Sequence, residues 1–175
     1  MYKNYDTPTF HFLEVSSNDS VPGVVFKVDL KGTLVMLKNK DVENPNVCVH
    51  VPAILGDGTH ITAIGKRCVK GSFKRIVISD SIRTIHEEAF RSASVDEIIW
   101  PGSCTCVPDY CFFNCFAKKI LNLRSVSNIG ICAFSNMRNL EELDLSFSPV
   151  NFIGLGAFNG ISNVNLPYYY DNNFC

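Results

Sequence analysis

The chain has 175 residues, 46% of them apolar and 19% charged, with a formal net charge of −1. Those values suit one folded domain and exclude a disordered chain. They also exclude a basic surface built for nucleic acid or anionic lipid, so neither is an expected partner.

Residues 1–23 lack the continuous apolar run of a signal peptide, and no later stretch reaches the roughly 18 apolar residues of a membrane span. This predicts a soluble chain made in the cytosol, with export left to some other route. The segment reads as an appendage in which TFHFLEV (9–15) adds an edge strand. Asn18-Asp19-Ser20 is a glycosylation sequon only if the chain is secreted. Next, Val24, Phe26, Val28 and Leu30 alternate, Lys31-Gly32 makes a turn, and Thr33, Val35 and Leu37 alternate again, which predicts a β-hairpin. A second pair is predicted from Cys48-Val49-His50-Val51, a Gly56-Asp57-Gly58 turn and His60-Ile61-Thr62.

From there the chain repeats itself. Ile64, Ile85, Val107, Ile129 and Ile153 follow at steps of 21, 22, 22 and 24 residues. Four and five residues after each come Cys68-Val69, Ala89-Phe90, Cys111-Phe112, Ala133-Phe134 and Ala157-Phe158, always small then apolar. That spacing predicts one face of a short helical turn. A second phrase follows each time: FKRIVI (73–78), VDEIIW (95–100), AKKILN (117–122), LEELDL (140–145) and ISNVNL (161–166). Its last three residues alternate as in a strand with one buried face. Asn122 interrupts the third copy, either because that strand slips to use Leu121 and Leu123 or because Asn122 bonds to backbone inside the stack. One such unit cannot bury its apolar face alone, whereas five in series can stack into a parallel sheet over a shared core.

Ile-Gly-x-x-Ala-Phe followed by L-x-x-L-x-L spacing resembles the BspA-type leucine-rich repeat, best at 129–145 and 153–166. The copy at 85–100 has His86 in place of Gly, and the copy at 64–78 has Cys68-Val69 in place of Ala-Phe. The resemblance implies an α/β leucine-rich repeat solenoid, with parallel strands on one face, short helical segments on the other and an N-terminal β cap. The expected divisions are an appendage at 1–23, a hairpin cap at 24–60, five repeats at 61–167 and a tail at 168–175, whose tyrosines and Phe174 partly cover the last strand. It also implies non-catalytic protein–protein interaction or adhesion through the sheet face, and a cell-surface address as the counterpart to the cytoplasmic one. An intracellular scaffold is the alternative function.

No residue constellation points to catalysis or to a cofactor. The paired Glu87 and Glu88 do not face one another on a helix, and no cysteine-protease signature surrounds any of the eight thiols. Cys104, Cys106, Cys111 and Cys115 could in principle bind tetrahedral zinc. The register assigns Cys104 to the core position of Ile82 and Val126, and Cys111 to that of Ala89, Ala133 and Ala157. Reduced, buried thiols are therefore the leading expectation. Across the sheet face, the outward central position reads Val77, Ile99, Leu121, Asp144, Asn165, the candidate contact row for an unidentified protein partner. The two residues before each strand alternate in sign from copy to copy, Lys74-Arg75, Asp96-Glu97, Lys118-Lys119 and Glu141-Glu142, which predicts a ladder of cross-strand ion pairs.

Overall fold

Each step of about 22 residues makes one coil of a solenoid, and three walls enclose its core. The computed structural model describes residues 23–41, 43–56 and 58–169, and the backbone of 11–13. The strands are β1 (His11–Leu13), β2 (Val24–Val28), β3 (Thr33–Asn39), β4 (Cys48–Val51), β5 (Ala63–Ile64), β6 (Val69–Lys70), β7 (Ser72–Ile78) and β8 (Thr84–Ile85). They continue with β9 (Ser94–Ile99), β10 (Cys106–Val107), β11 (Lys119–Leu121), β12 (Asn128–Ile129), β13 (Leu143–Asp144), β14 (Phe152–Ile153) and β15 (Val164–Asn165).

The first wall is the strand of the apolar–polar–polar–apolar phrase. β4, β7, β9 and β11 pair in parallel, β13 pairs with β15, and a bridge between Lys119 and Glu142 joins the two groups. Ile76, Ile98 and Ile120 point inward from neighbouring strands and are buried. The second wall comes from the first residue of each repeated phrase. Ile64 pairs with Ile85, while Val107, Ile129 and Ile153 form a separate run, all in two-residue parallel strands.

The third wall departs from expectation. The Ala-Phe phrases were expected to be helical, but among the described residues they form chains of turns and no helix. Two residues in each unit take left-handed φ: Arg67 and Gly71, Glu88 and Ser92, Tyr110 and Asn114, Cys132 and Asn136, Gly156 and Gly160. A left-handed residue at every fourth position interrupts the i to i−4 pattern of an α-helix. Half of the amides close local turns, as when Ala89 N–H donates to His86 O, Arg91 N–H to Glu88 O and Ala93 N–H to Phe90 O. The others cross to the next coil: Glu88, Phe90 and Ser92 N–H donate to Asp109, Cys111 and Phe113 O at 3.1, 2.9 and 3.0 Å. Isolated helices this short are marginal in water. Here the backbone is satisfied from coil to coil instead, and Ala89, Cys111, Ala133 and Ala157 are all buried beneath it.

The aromatic partners of those small residues stack along the solenoid axis. Phe90, Phe112, Phe134 and Phe158 have successive centroid distances of 5.2, 5.3 and 6.0 Å, with planes within 16°. Trp100 tilts against Phe112 at 5.7 Å, and its indole N–H donates to Cys104 O at 2.9 Å.

At the N-terminal end, β2 and β3 form the expected hairpin. β1 joins its outer edge, within the segment expected to add an edge strand. The other edge of β3 pairs in parallel with β5 and β6, and Leu34 and Leu37 are buried against the first coil. The second expected hairpin does not form. Ile54 and His60 make one antiparallel bridge, and β4 instead pairs with β7 as an added strand of the first wall. Val49 and Val51 are buried there, and this burial outweighs the local turn signal. Asn122 takes φ 67° and its side-chain amide donates to Trp100 O at 2.8 Å. The backbone bond of one reading forms, but Asn122 is exposed rather than inside the stack, and Leu123 is buried as in the other reading while Leu121 faces outward.

Candidate functional site

Strand pairing places the candidate row side by side. Val77 lies opposite Ile99, and Ile99 opposite Leu121. Neighbouring strands are about 4.8 Å apart, so the three side chains form one apolar stripe. Val77 and Ile99 are half-buried, and Leu121 is 41% exposed. His50 pairs with Val77 and extends the row at its other end, an exposed residue that the expected second hairpin had set apart from the face. The alternation Cys48-Val49-His50-Val51 carried the signal for that position, since its buried valines match those of a wall strand.

Beyond Leu121 the row turns polar. Asp144 and Asn165 pair with each other on β13 and β15. The Asp144 carboxylate accepts from the Ser146 hydroxyl and amide at 2.6 and 3.0 Å, and these bonds, the hydroxyl first, hold it below its usual range. The Asn165 amide donates to Glu142.

Beside the stripe runs a ladder of charges. Lys74 and Lys118 both reach Asp96, at 3.2 and 3.1 Å, Arg75 pairs with Glu97, and Lys119 lies 3.4 Å from Glu141. The Lys118 contact, then that of Lys74, keeps the Asp96 carboxyl below its ordinary value. A double-mutant cycle between Asp96 and Lys118 is expected to give a coupling of about 0.2–1 kcal/mol at low salt that fades in concentrated salt. Equal coupling at both salts would point to packing rather than charge.

A second charge cluster sits on the turn wall. Glu88 is largely covered and receives Lys66, Arg67 and Arg91. Lys66 first, then Arg67, lowers its carboxyl to about 2. The folded value lies below the unfolded one, so this contribution is present above the ordinary carboxylate range and is lost as pH falls towards 2. Between pH 5 and pH 2.5, Glu88→Gln is therefore expected to lose less of its melting temperature than the parent chain does. Parallel acid losses in the two proteins would remove Glu88 as the cause.

The four thiols considered for zinc do not converge. Cys104 and Cys111 occupy the core positions that the register assigned, and Cys115 is buried with its Sγ 3.5 Å from Ala93 O. Cys106 faces outward on β10. Among the described residues, no three His, Cys, Asp or Glu side chains gather where a metal could sit. Burial pushes the thiols of Cys68 and Cys115 up to about 12 and that of Cys111 well up, which disfavours the thiolate a metal needs. Among the described residues no helix is long and apolar enough to cross a membrane.

No curated protein sequence matches the chain. Solved structures share its fold, among them two leucine-rich repeat proteins. A leucine-rich repeat protein from Bacteroides ovatus is 24% identical with a TM-score of 0.63, over 85% of this chain and 41% of that one. The T. pallidum leucine-rich repeat protein is 21% identical with a TM-score of 0.63, over 86% and 72%. This chain thus spans less than half of the Bacteroides protein. The family profile described as the BspA type leucine rich repeat region matches residues 60–172 in six copies, one more than the five units counted from the periodic isoleucines. With parallel walls, a stacked Ala-Phe core and that match over most of its length, the chain belongs to the BspA-type leucine-rich repeat family.

Proposed function

We propose that the chain is a non-catalytic binding protein that takes a protein partner through its sheet face. Val77, Ile99 and Leu121 form the apolar centre of the contact, and Asp144 and Asn165 form its polar end. The observation that carries this reading is the unbroken apolar stripe across three paired strands, flanked by charges that already neutralise one another. Such a surface offers area rather than net charge, in keeping with the general use of leucine-rich repeat proteins for protein–protein contact. Adhesion at a cell surface is the setting we favour for it. We assign residues 24–60 as the cap of the stack and 61–167 as its repeats, on the pairing of β3 with the first coil.

The triple variant Val77→Lys, Ile99→Lys, Leu121→Lys tests the face. Photo-crosslinking from position 50, at the end of the same row, in source-cell extract should capture a discrete partner. The same probe at Asn114, on the turn wall, should not. The triple variant should lose capture of that partner while its melting temperature stays close to that of the parent. Undiminished capture by a folded triple variant would move the binding surface off the sheet face.

A further inference from the structure

The first and second coils part where the hairpin captures the turn wall. In the interior coils, the amides five and seven residues after the leading Ile or Val cross to the next coil, as Phe90 and Ser92 N–H do to Cys111 and Phe113 O. The equivalent residues of the first coil are Val69 and Gly71. Val69 and Lys70 form β6 and pair with β3, which lies on the opposite side of the first coil from the second. Arg67 N–H still reaches Glu88 O at 3.1 Å, but among the described residues neither Val69 nor Gly71 N–H crosses to the second coil. A cleft of about 420 Å³ opens there, with residues of 67–72 on one bank and 91–94 on the other. That is within the range of about 300–1,000 Å³ in which proteins hold small molecules.

The lining is cationic and hydroxylated. Arg67 and Lys70 stand on one bank and Arg91 on the other. The Ser72 hydroxyl meets that of Ser94 across the cleft at 3.2 Å, and Ser92 is exposed beside them. The charges do not balance. Lys66, Arg67 and Arg91 share Glu88, and Lys66 also reaches Glu87, so with Lys70 four cations meet two carboxylates. Lys70 is exposed and has no acidic partner among the described residues, and Lys38 lies opposite it on β3, a like-charge pairing that costs stability. Both guanidinium groups keep N–H donors beyond those given to Glu88, since Arg67 spends Nε and Nη2 there and Arg91 spends Nη1. A phosphate monoester carries a charge of about −1.5 to −2 at neutral pH and three strong acceptor oxygens. It matches the excess of positive charge better than a carboxylate or a sulfate ester, which carry a single charge. The cleft is also larger than a bare phosphate needs, and its hydroxyls suit a hydroxylated body. We infer that the cleft between the first two coils binds a phosphate monoester of a small hydroxylated molecule, with Arg67, Lys70 and Arg91 on the phosphate and the three serines on the body. This site is independent of the apolar row on the sheet face.

NMR titration of the isotope-labelled full chain at low salt tests the inference, with glucose 6-phosphate as the probe. The amides of Lys70, Gly71, Ser72 and Ser92 should shift saturably, with a Kd of about 0.1–1 mM. Lys70→Gln should weaken binding by about tenfold at an unchanged melting temperature, because it removes a cation that no carboxylate of the fold uses. Arg138→Gln, at an exposed cation on a later coil, should leave the affinity as it was. Inorganic phosphate and glucose 6-sulfate should each bind at least about fivefold more weakly than glucose 6-phosphate. No saturable shift at those four amides with the probe at about 10 mM would overturn the inference. So would equal losses from Lys70→Gln and Arg138→Gln, which would reduce the binding to the general field of the molecule. Inorganic phosphate binding as tightly as the sugar phosphate would overturn the monoester in favour of the free anion, and equal binding of the sulfate ester would overturn the selection for phosphate.

Discussion

Phe112→Ala is expected to destabilise the chain by about 3–5 kcal/mol, a large share of the roughly 5–15 kcal/mol that holds a typical domain together. The ring is fully buried, with Phe90 on one side, Phe134 on the other and Trp100 across its edge. The space left by its removal cannot readily close. Phe112 N–H is bonded to Ala133 O and Cys111 O accepts from Phe90 N–H, so the backbones on both sides are held at the coil spacing. A cavity that cannot collapse carries the larger penalty within the range for its chemistry. Phe158→Ala, at the half-buried end of the same stack, should cost clearly less. Urea unfolding of the two variants makes the comparison, and equal losses would show that the interior of the aromatic stack is not where the stability resides.

The second expectation concerns backbone rather than volume. Asn136 holds φ of 63° and sends its amide to Asn159 O at 2.7 Å. Asn136→Val is expected to cost about 1–3 kcal/mol, because a β-branched residue is strongly disfavoured in the left-handed region and the coil contacts prevent escape from it. Asn136→Gly should be close to neutral, since glycine adopts that φ without penalty and the lost polar side chain is offset. Chemical denaturation of both variants separates the two effects. Similar stability for the valine and glycine variants would mean that the turn wall can be rebuilt without left-handed residues.

That second case also explains why the turn wall was hard to read from residues. The strand phrases were legible because burial of one face requires alternation, and Ile76, Ile98 and Ile120 lie where that alternation put them. The core assignments of Cys104 and Cys111 were legible for the same reason, as register alone predicted their burial. The Ala-Phe phrase, however, has the spacing of a helical face, and the left-handed positions that deny it a helix are filled by Arg67, Glu88, Ser92, Tyr110 and Cys132 as well as by glycine and asparagine. Nothing in those side chains announces positive φ. The stabilising bonds run between coils about 22 residues apart, beyond the reach of any local pattern. The place of His50 was obscured in a similar way. A Gly-Asp-Gly turn suggested a local hairpin, whereas the long-range partner β7 captured β4. Of the candidate row, the adjacency of Val77, Ile99 and Leu121 followed from the repeat period. The chemistry around Asp144 did not, because the earlier copies carry Val77, Ile99 and Leu121 at that position and so give the following turn no carboxylate to bond.

The sealed thiols make this solenoid a clock of its own opening. Cys68 lies in the first coil, while Cys111 and Cys115 lie in the third, and burial keeps all three protonated and out of contact with solvent. A thiol reagent can modify them only during the moments when a coil parts from its neighbour, and only after the proton has left. Their relative modification rates therefore report where the stack unzips. If it frays from the end away from the β2–β3 hairpin, the third-coil pair is spent before Cys68, and the order of loss gives the direction in which the repeats come apart.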